Sequence, residues 1–278
     1  MQRAEAGTDL VIVTSSTIPV EELAAARPNV FWVSSYAIRD VANVAYVDFL
    51  DNEGAYLAGV AAAHTSKTGA IGFIGGYDGG VIWYFHAGYV AGARSVDPDI
   101  EVPFLYLAAG NDFSGFHNAD AAERVARGMY EQGADVIFGA AGDSGVGVFE
   151  AATALSTADH WLWAIGVDTD QYESVLRLPG AVHPEAWRRH VLTSVLKRVD
   201  VAIYEILKDF AQSRFAPGAR SFNVANGGLD ISYSGGHLED IRTAVDDARA
   251  DIVSGRVVVP WLPAERETLA AEKHGWFL

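Results

Sequence analysis

Short apolar runs that do not alternate with polar residues, each followed by a stretch of helical spacing, recur along this chain and leave few folds open to it. The runs lie at 10–13, 30–34, 44–49, 70–74, 102–107, 135–140, 162–167 and 191–193. A continuous apolar run belongs to a strand covered on both faces, as in a parallel sheet. Helical spacing marks 52–64, 81–95, 119–132, 145–155, 194–210 and 239–253. Asp51 stands in the N-cap position of the first of these, and Gly133 stops the third. Repeated βα units predict a doubly wound α/β architecture with mostly parallel sheets.

Two sheets are expected. Asp97-Pro98-Asp99, followed by Pro103, marks a break after which the βα rhythm restarts, and 213–228 is a second weak zone rich in Gly, Asn, Ser and Pro. The predicted lobes are 1–101 with 193–213, and 102–192 with 214–278, with 261 onward a peripheral tail. At 278 residues and 50% hydrophobic composition, the chain has apolar material for two modest cores. The opening MQRAEAGTDLVIV reads as a helix end at 3–6, a stop at Gly7 and a buried strand, which places the first βα unit of such a domain before residue 1. It lacks the basic-then-apolar pattern of a signal peptide.

Composition removes several function classes. A net charge of −16 repels phosphate backbones, and the basic pairs Arg188-Arg189 and Lys197-Arg198 are local, so nucleic acid is not an expected partner. The absence of cysteine excludes disulfides, thiolate metal sites, cysteine nucleophiles and lipid on cysteine within this sequence. No run of 18 apolar residues predicts a transmembrane segment. There is no H-E-x-x-H, and Asp168-Thr169-Asp170 lacks the glycine and distal glutamate of a calcium loop, so no metal or other cofactor is expected.

Several residues carry chemistry by type and place. Asp168 ends the run 162–167, and carboxyl ends of parallel strands line the ligand crevice of open α/β sheets. Its carboxylate there either accepts hydrogen bonds from sugar hydroxyls or is a solvated loop acid or cap, with Asp170 the better cap. Gly142 lies in a strand-to-helix turn, where bare backbone N–H groups suit hydroxyl or phosphate oxygens; a plain tight turn is the other reading. Lys197, placed near the first turn of a helix, opposes the helix dipole. Gly142-Asp143-Ser144-Gly145 also occurs around the nucleophile of trypsin-like proteases, but here in a strand-to-helix turn of a cysteine-free α/β chain. Gly145, Gly147 and Asp168 resemble a dinucleotide fingerprint, with Glu150 standing where its third glycine belongs.

Five ordered blocks point further. NVAYVDFLDNEGAYLAGVAA (43–62), IGFIGGYDGGVIWYFHAGYVAGAR (71–94), GADVIFGAAGDSGVGVFEAA (133–152), AIGVDTDQYES (164–174) and VLTSVLKRVDVAIYEILK (191–208) resemble the basic-membrane-protein, or purine nucleoside receptor, family over residues 8–260. The resemblance implies a two-lobed type I periplasmic-binding-protein fold whose lobes, joined by hinge strands, close on a nucleoside in the cleft between them. It implies a solute-binding protein of an ABC importer, not an enzyme, with a permease partner and an extracytoplasmic place at the membrane.

The same resemblance gives residues roles. Phe116 in DFSGF stacks on the base, or Phe113 if the register is shifted; a core phenylalanine is the other reading of Phe116. Asp168 and Lys197 hold the sugar, with Gly142 at its side; a solvated lysine or an Asp168 ion pair is the other reading of Lys197. The sequence departs from the family near Thr17-Ile18, where a phenylalanine and an aspartate are expected, and at Asn118, where an aspartate is frequent. The family's first acid/amide pair and second stacking aromatic fall before residue 1. Two alternatives stay open: an effector-binding sensor domain of a regulator or receptor, and a dinucleotide-dependent enzyme.

Overall fold

In the computed structural model, which describes residues 7–14, 18–35, 41–110, 112–178 and 181–264, the apolar runs pair into two separate sheets. In chain order the elements are β1 (Leu10–Val13), α1 (Val20–Ala25), β2 (Phe31–Ser34), β3 (Val44–Phe49), α2 (Asp51–Thr65), β4 (Ile71–Gly75), α3 (Gly80–Val96), β5 (Phe104–Tyr106), α4 (Ala119–Glu131) and β6 (Val136–Ala140). There follow α5 (Val146–Leu155), β7 (Trp163–Asp168), α6 (Gln171–Ser174), α7 (Pro184–Arg188), β8 (Val191–Lys197), α8 (Val199–Ala211), β9 (Gly218–Phe222), β10 (Leu229–Ile231) and α9 (Arg242–Val253). The chain divides into two units, Met1–Leu50 with Arg198–Gly228, and Asp51–Lys197 with Leu229–Leu278.

The smaller unit holds a four-stranded sheet in the order β1-β2-β3-β9, parallel throughout. Neighbouring residues on β2 face opposite ways, so both faces need cover. Trp32 packs with Val13, Val20, Ala24 and Val44, while Val33 packs with Ala202, Ile206 and Phe222. Asn43 Nδ2 donates to the carbonyls of Ala24 and Val30, tying the start of β3 to the end of α1 and the start of β2.

The larger unit holds a six-stranded sheet in the order β10-β8-β7-β6-β4-β5, parallel except for β10. β4 and β6 are buried at every position, as their unbroken apolar runs predict. α2 and α3 touch through their backbones. A Cβ on Gly88 would lie 2.0 Å from the Asn52 carbonyl oxygen, and one on Gly92 2.0 Å from that of Tyr56.

The expected lobe boundary near residue 101 is corrected. Asp97-Pro98-Asp99 only turns the chain from α3 into β5, which pairs with β4 in the same sheet. Pro103 directly precedes the edge strand β5, and its carbonyl accepts from the Phe73 N–H of β4. The chain changes unit between Leu50 and Asp51, between Lys197 and Arg198, and between Gly228 and Leu229.

Two more expectations move. The strand predicted at 191–193 runs on to Lys197, and the following helix begins at Val199 rather than 194. Polar Thr193 and Ser194 hid the continuation. Both are buried in the strand, Thr193 Oγ1 donating to the Ser232 carbonyl and Ser194 Oγ accepting from the Gln171 N–H. The weak zone at 213–228 contains β9, whose GARSF is too polar to read as a covered strand. The expected helix end at 3–6, Thr17, and the tail from 265 lie outside the described residues.

Candidate ligand site at the carboxyl edge of the larger sheet

Strand order brings the four singled-out residues to one edge. β8 ends at Lys197, and its neighbour β7 ends at Asp168. Next comes β6, followed at once by Gly142, and then β4, followed by Gly76 and Tyr77. Phe116 returns to this edge in a 3-10 turn, Phe113–Phe116, after β5. All of these residues belong to the larger unit.

Asp168 is held in an unusual backbone. Its φ is +66°, a left-handed value for a residue other than glycine, and the Thr169 N–H donates to the Val167 carbonyl at 2.8 Å across it. That is a γ-turn pattern centred on the aspartate, a conformation that stores strain and gathers at functional sites. Gln171 fixes the turn, its Oε1 accepting from the Val167 N–H and its own N–H donating to Ser194 Oγ. The carboxylate is left 53% exposed. Asp170 caps α6 as expected, accepting from the Tyr172 N–H, and also takes a hydrogen bond from Ser234 Oγ.

Lys197 ends a strand, not the first turn of a helix, so the dipole argument made for it lapses. Its Nζ lies 3.1 Å from Asp51 Oδ1 and 3.9 Å from Asp168 Oδ1. The same ammonium stands 5.3 Å from the centre of the Phe85 ring. Burial alone would push its pKa down, but the Asp51 and Asp168 charges, the Asp51 hydrogen bond and Tyr77 outweigh it and hold the ammonium above its ordinary value. Asp51 itself is the first residue of α2 rather than its cap, and its side chain is almost wholly buried. Asp51, Asp168 and Lys197 make this end of the edge rich in both hydrogen-bond acceptors and donors.

The other end is aromatic. The Phe116 ring lies over two glycines: a Cβ on Gly76 would meet its Cε1 at 2.4 Å, and one on Gly142 its Cδ1 at 3.2 Å. Tyr77 meets Phe116 edge-on at 5.5 Å and Phe113 at 5.3 Å, while Phe113 is 60% exposed. Burial raises the Tyr77 phenol and the Lys197 charge partly offsets this, so Tyr77 links the aromatic and charged ends electrostatically. Gly142 has φ +55°, which suits glycine. Sequence reasoning did not single out Tyr77; only its place directly after the Gly75-Gly76 strand end marks it.

Ser144 holds this corner together. Its buried Oγ donates to the Gly115 carbonyl at 2.8 Å and accepts from the Asn118 N–H at 2.7 Å. The serine of the protease-like tetrapeptide is thus a clamp between two turns. Asn118 caps α4, accepting from the Ala121 N–H. The dinucleotide pattern also dissolves. Gly147 is small because α5 touches α4 there, a Cβ lying 2.1 Å from the Ala119 carbonyl oxygen, and Glu150 accepts from Trp187 Nε1. Among the described residues no group of three or more His, Asp or Glu side chains is placed to hold a metal, and no helix is long and apolar enough to cross a membrane.

Residues 2–260 match a family described as "ABC transporter substrate-binding protein PnrA-like". The chain belongs to this family, Bmp. Bmp members are solute-binding proteins rather than enzymes. An "ABC transporter nucleoside-binding protein BmpA" from Lactococcus lactis is 39% identical over 234 residues, covering 83% of this chain and 64% of that protein. The chain thus spans a little under two thirds of this relative's length. A "CD4+ T-cell-stimulating antigen" from Listeria innocua is 35% identical over 251 residues, covering 88% of this chain and 67% of the antigen.

Among solved structures, a solute-binding protein of an ABC transporter system from Aeropyrum pernix superposes with a TM-score of 0.69 at 25% identity, covering 95% of this chain and 80% of that one. A "Transcriptional Activator of comK gene" from Bacillus halodurans gives 0.73 at 20% identity, covering 91% and 81%; that likeness shows the fold alone. The Bmp chain therefore has the expected periplasmic-binding-protein type of α/β fold, with mostly parallel sheets.

Proposed function

We propose that this chain is the solute-binding component of an ABC importer and that it takes a nucleoside at the carboxyl edge of the larger sheet. The base lies on Phe116, the ribose hydroxyls meet Asp168 and Lys197, and the Gly142 backbone closes on the sugar. The observation that carries this reading is the pairing of a half-exposed carboxylate with an ammonium at one end of an edge whose other end is a Phe116–Tyr77 aromatic wall. A nucleoside has the matching halves: a flat base, for which stacking supplies affinity, and a diol that donates to a carboxylate. The name of the lactococcal relative supports the same ligand class. A permease partner and an extracytoplasmic place at the membrane follow from the family reading.

Titration calorimetry with guanosine, adenosine, inosine and uridine tests the proposal. Saturable binding of at least one, lost with Asp168→Ala, is the expected result. Heat from free sugars but from no nucleoside would overturn it.

A further inference from the structure

The buried partner of Lys197, read from sequence only as a helix cap, takes no part in the ligand contacts proposed above. Asp51 is 3% exposed, yet it carries a carboxylate with an oxygen 3.1 Å from the Lys197 ammonium, whereas Asp168, at 3.9 Å, is half in solvent. A carboxylate sunk in a core costs several kcal/mol unless it is paired. Its place on the first turn of α2 adds the positive end of a helix dipole, so it is kept charged without needing the ligand. The ligand-facing carboxylate and the inner carboxylate thus divide two tasks.

The position is also mechanically specific. Asp51 is the first residue of its segment in the larger unit and Lys197 the last of the same segment, and Leu229, opposite Lys197 in the sheet, opens the second segment. Packing leaves the strand end little freedom, since a Cβ on Gly54 of α2 would lie 2.8 Å from Val195 Cγ1. The Asp51–Lys197 ion pair closes a tight corner, with the Asp168 carboxylate 3.9 Å away on the solvent side.

We propose that Asp51 is a positioning residue for ligand binding: its buried carboxylate holds Lys197 charged and aimed along the Asp168 side, so that the ammonium donates to the ligand. The ligand part of this rests on the nucleoside reading above; the ion-pair part does not. Groups facing the ammonium include Asp51 from α2, Asp168 from β7, Tyr77 from the turn after β4 and the Phe85 ring from α3. Without Asp51, Asp168 and Tyr77 oppose the effect of burial with one carboxylate fewer, and the ammonium titrates lower.

The test compares wild type, Asp51→Asn and Asp51→Glu over pH 6 to 10, with binding of adenosine, which does not itself titrate in that range, by calorimetry and Lys197 titration by NMR of the ligand-free protein. Asn keeps the shape and removes the charge; Glu restores it. In Asp51→Asn, the Lys197 midpoint falls into the tested range, and adenosine affinity declines as pH rises through it. Wild type and Asp51→Glu stay level across that range. A purely structural role predicts the same loss at every pH and would overturn the proposal, as would an unchanged Lys197 midpoint in Asp51→Asn. If Asp51→Asn is too unstable to titrate, Asp51→Glu decides alone: affinity and a Lys197 midpoint close to wild type, with the charge kept and the shape changed, support the proposal, and affinity lost equally at every pH overturns it. Wild type that binds none of the nucleosides defeats the functional reading, and the ligand-free titration then judges the ion pair separately.

Discussion

Asp168 and Lys197 end neighbouring strands, and their charged atoms stand 3.9 Å apart with the carboxylate about half in solvent. Register places Asp168 opposite Leu196, one residue before the lysine. The gap is wide for a strong ion pair but suits two groups that share a hydroxylated guest.

The left-handed turn at Asp168 separates fold from function. A side chain there costs about 1–2 kcal/mol relative to glycine, less for aspartate than for most. Asp168→Gly should leave unfolding free energy unchanged or raise it by up to about 1 kcal/mol, while nucleoside affinity falls about a hundredfold. Denaturant melts and calorimetry on the same preparation check both halves.

Stacking predicts a loss confined to the base. Phe116→Ala should weaken nucleoside binding by about 1–3 kcal/mol and leave affinity for free ribose unaltered. Gly76→Ala should mimic it without touching the ring chemically, because its new methyl would occupy the place of Phe116 Cε1. Equal binding by Gly76→Ala and wild type would show that the ring is not held where the ligand needs it.

Backbone contact between α2 and α3 has a plain cost when broken. Gly88→Ala improves helix propensity by about 1 kcal/mol, yet its methyl would lie 2.0 Å from the Asn52 carbonyl oxygen, and backbone cannot rotate away. The net change should be a loss of about 2 kcal/mol or more, read from chemical denaturation.

Two histidines set an acid limit. Burial lowers the pKa of His190 below its ordinary 6.5, despite a hydrogen bond to the Leu162 carbonyl, with Arg189 adding to the fall. Burial and the nearby His190 do the same to His237. The folded state therefore resists protons that the unfolded chain accepts near pH 6.5. Stability is full above that pH and declines as pH falls through it toward the depressed folded values. The melting temperature should drop between pH 7.5 and 5.5, with a shallower slope in His190→Gln.

Much of this was legible in residue order. Val44–Phe49 and Leu10–Val13 form strands where the apolar runs predict them, but Leu10–Val13, expected to be buried, buries only Val13 because it stands at the end of its sheet. The edge that gathers Phe116, Gly142, Asp168 and Lys197 follows from strand ends and family resemblance together. What stayed hidden involves pairing at a distance. β8 continues through Thr193 and Ser194 because Ser232 and Gln171 satisfy their hydroxyls from other segments. Asp51 looks like a helix cap locally, and only the fold brings Lys197 to it from 146 positions away, a separation fixed by the numbering itself. The unit boundary was misplaced because Pro98 and Pro103 lead into an edge strand as readily as into a linker.

The glycine-mediated seam between α2 and α3 has one more consequence. α2 opens with Asp51, while α3 carries Phe85 and follows the Tyr77 turn, so the polar and aromatic walls are fused through main-chain contact rather than through adjustable side chains. Such a frame should accept little reshaping by its guest. Selectivity among related guests then comes from rejection of whatever does not fit the preset outline, and widening the range of accepted molecules would require changes at the seam as well as at the surface the guest touches.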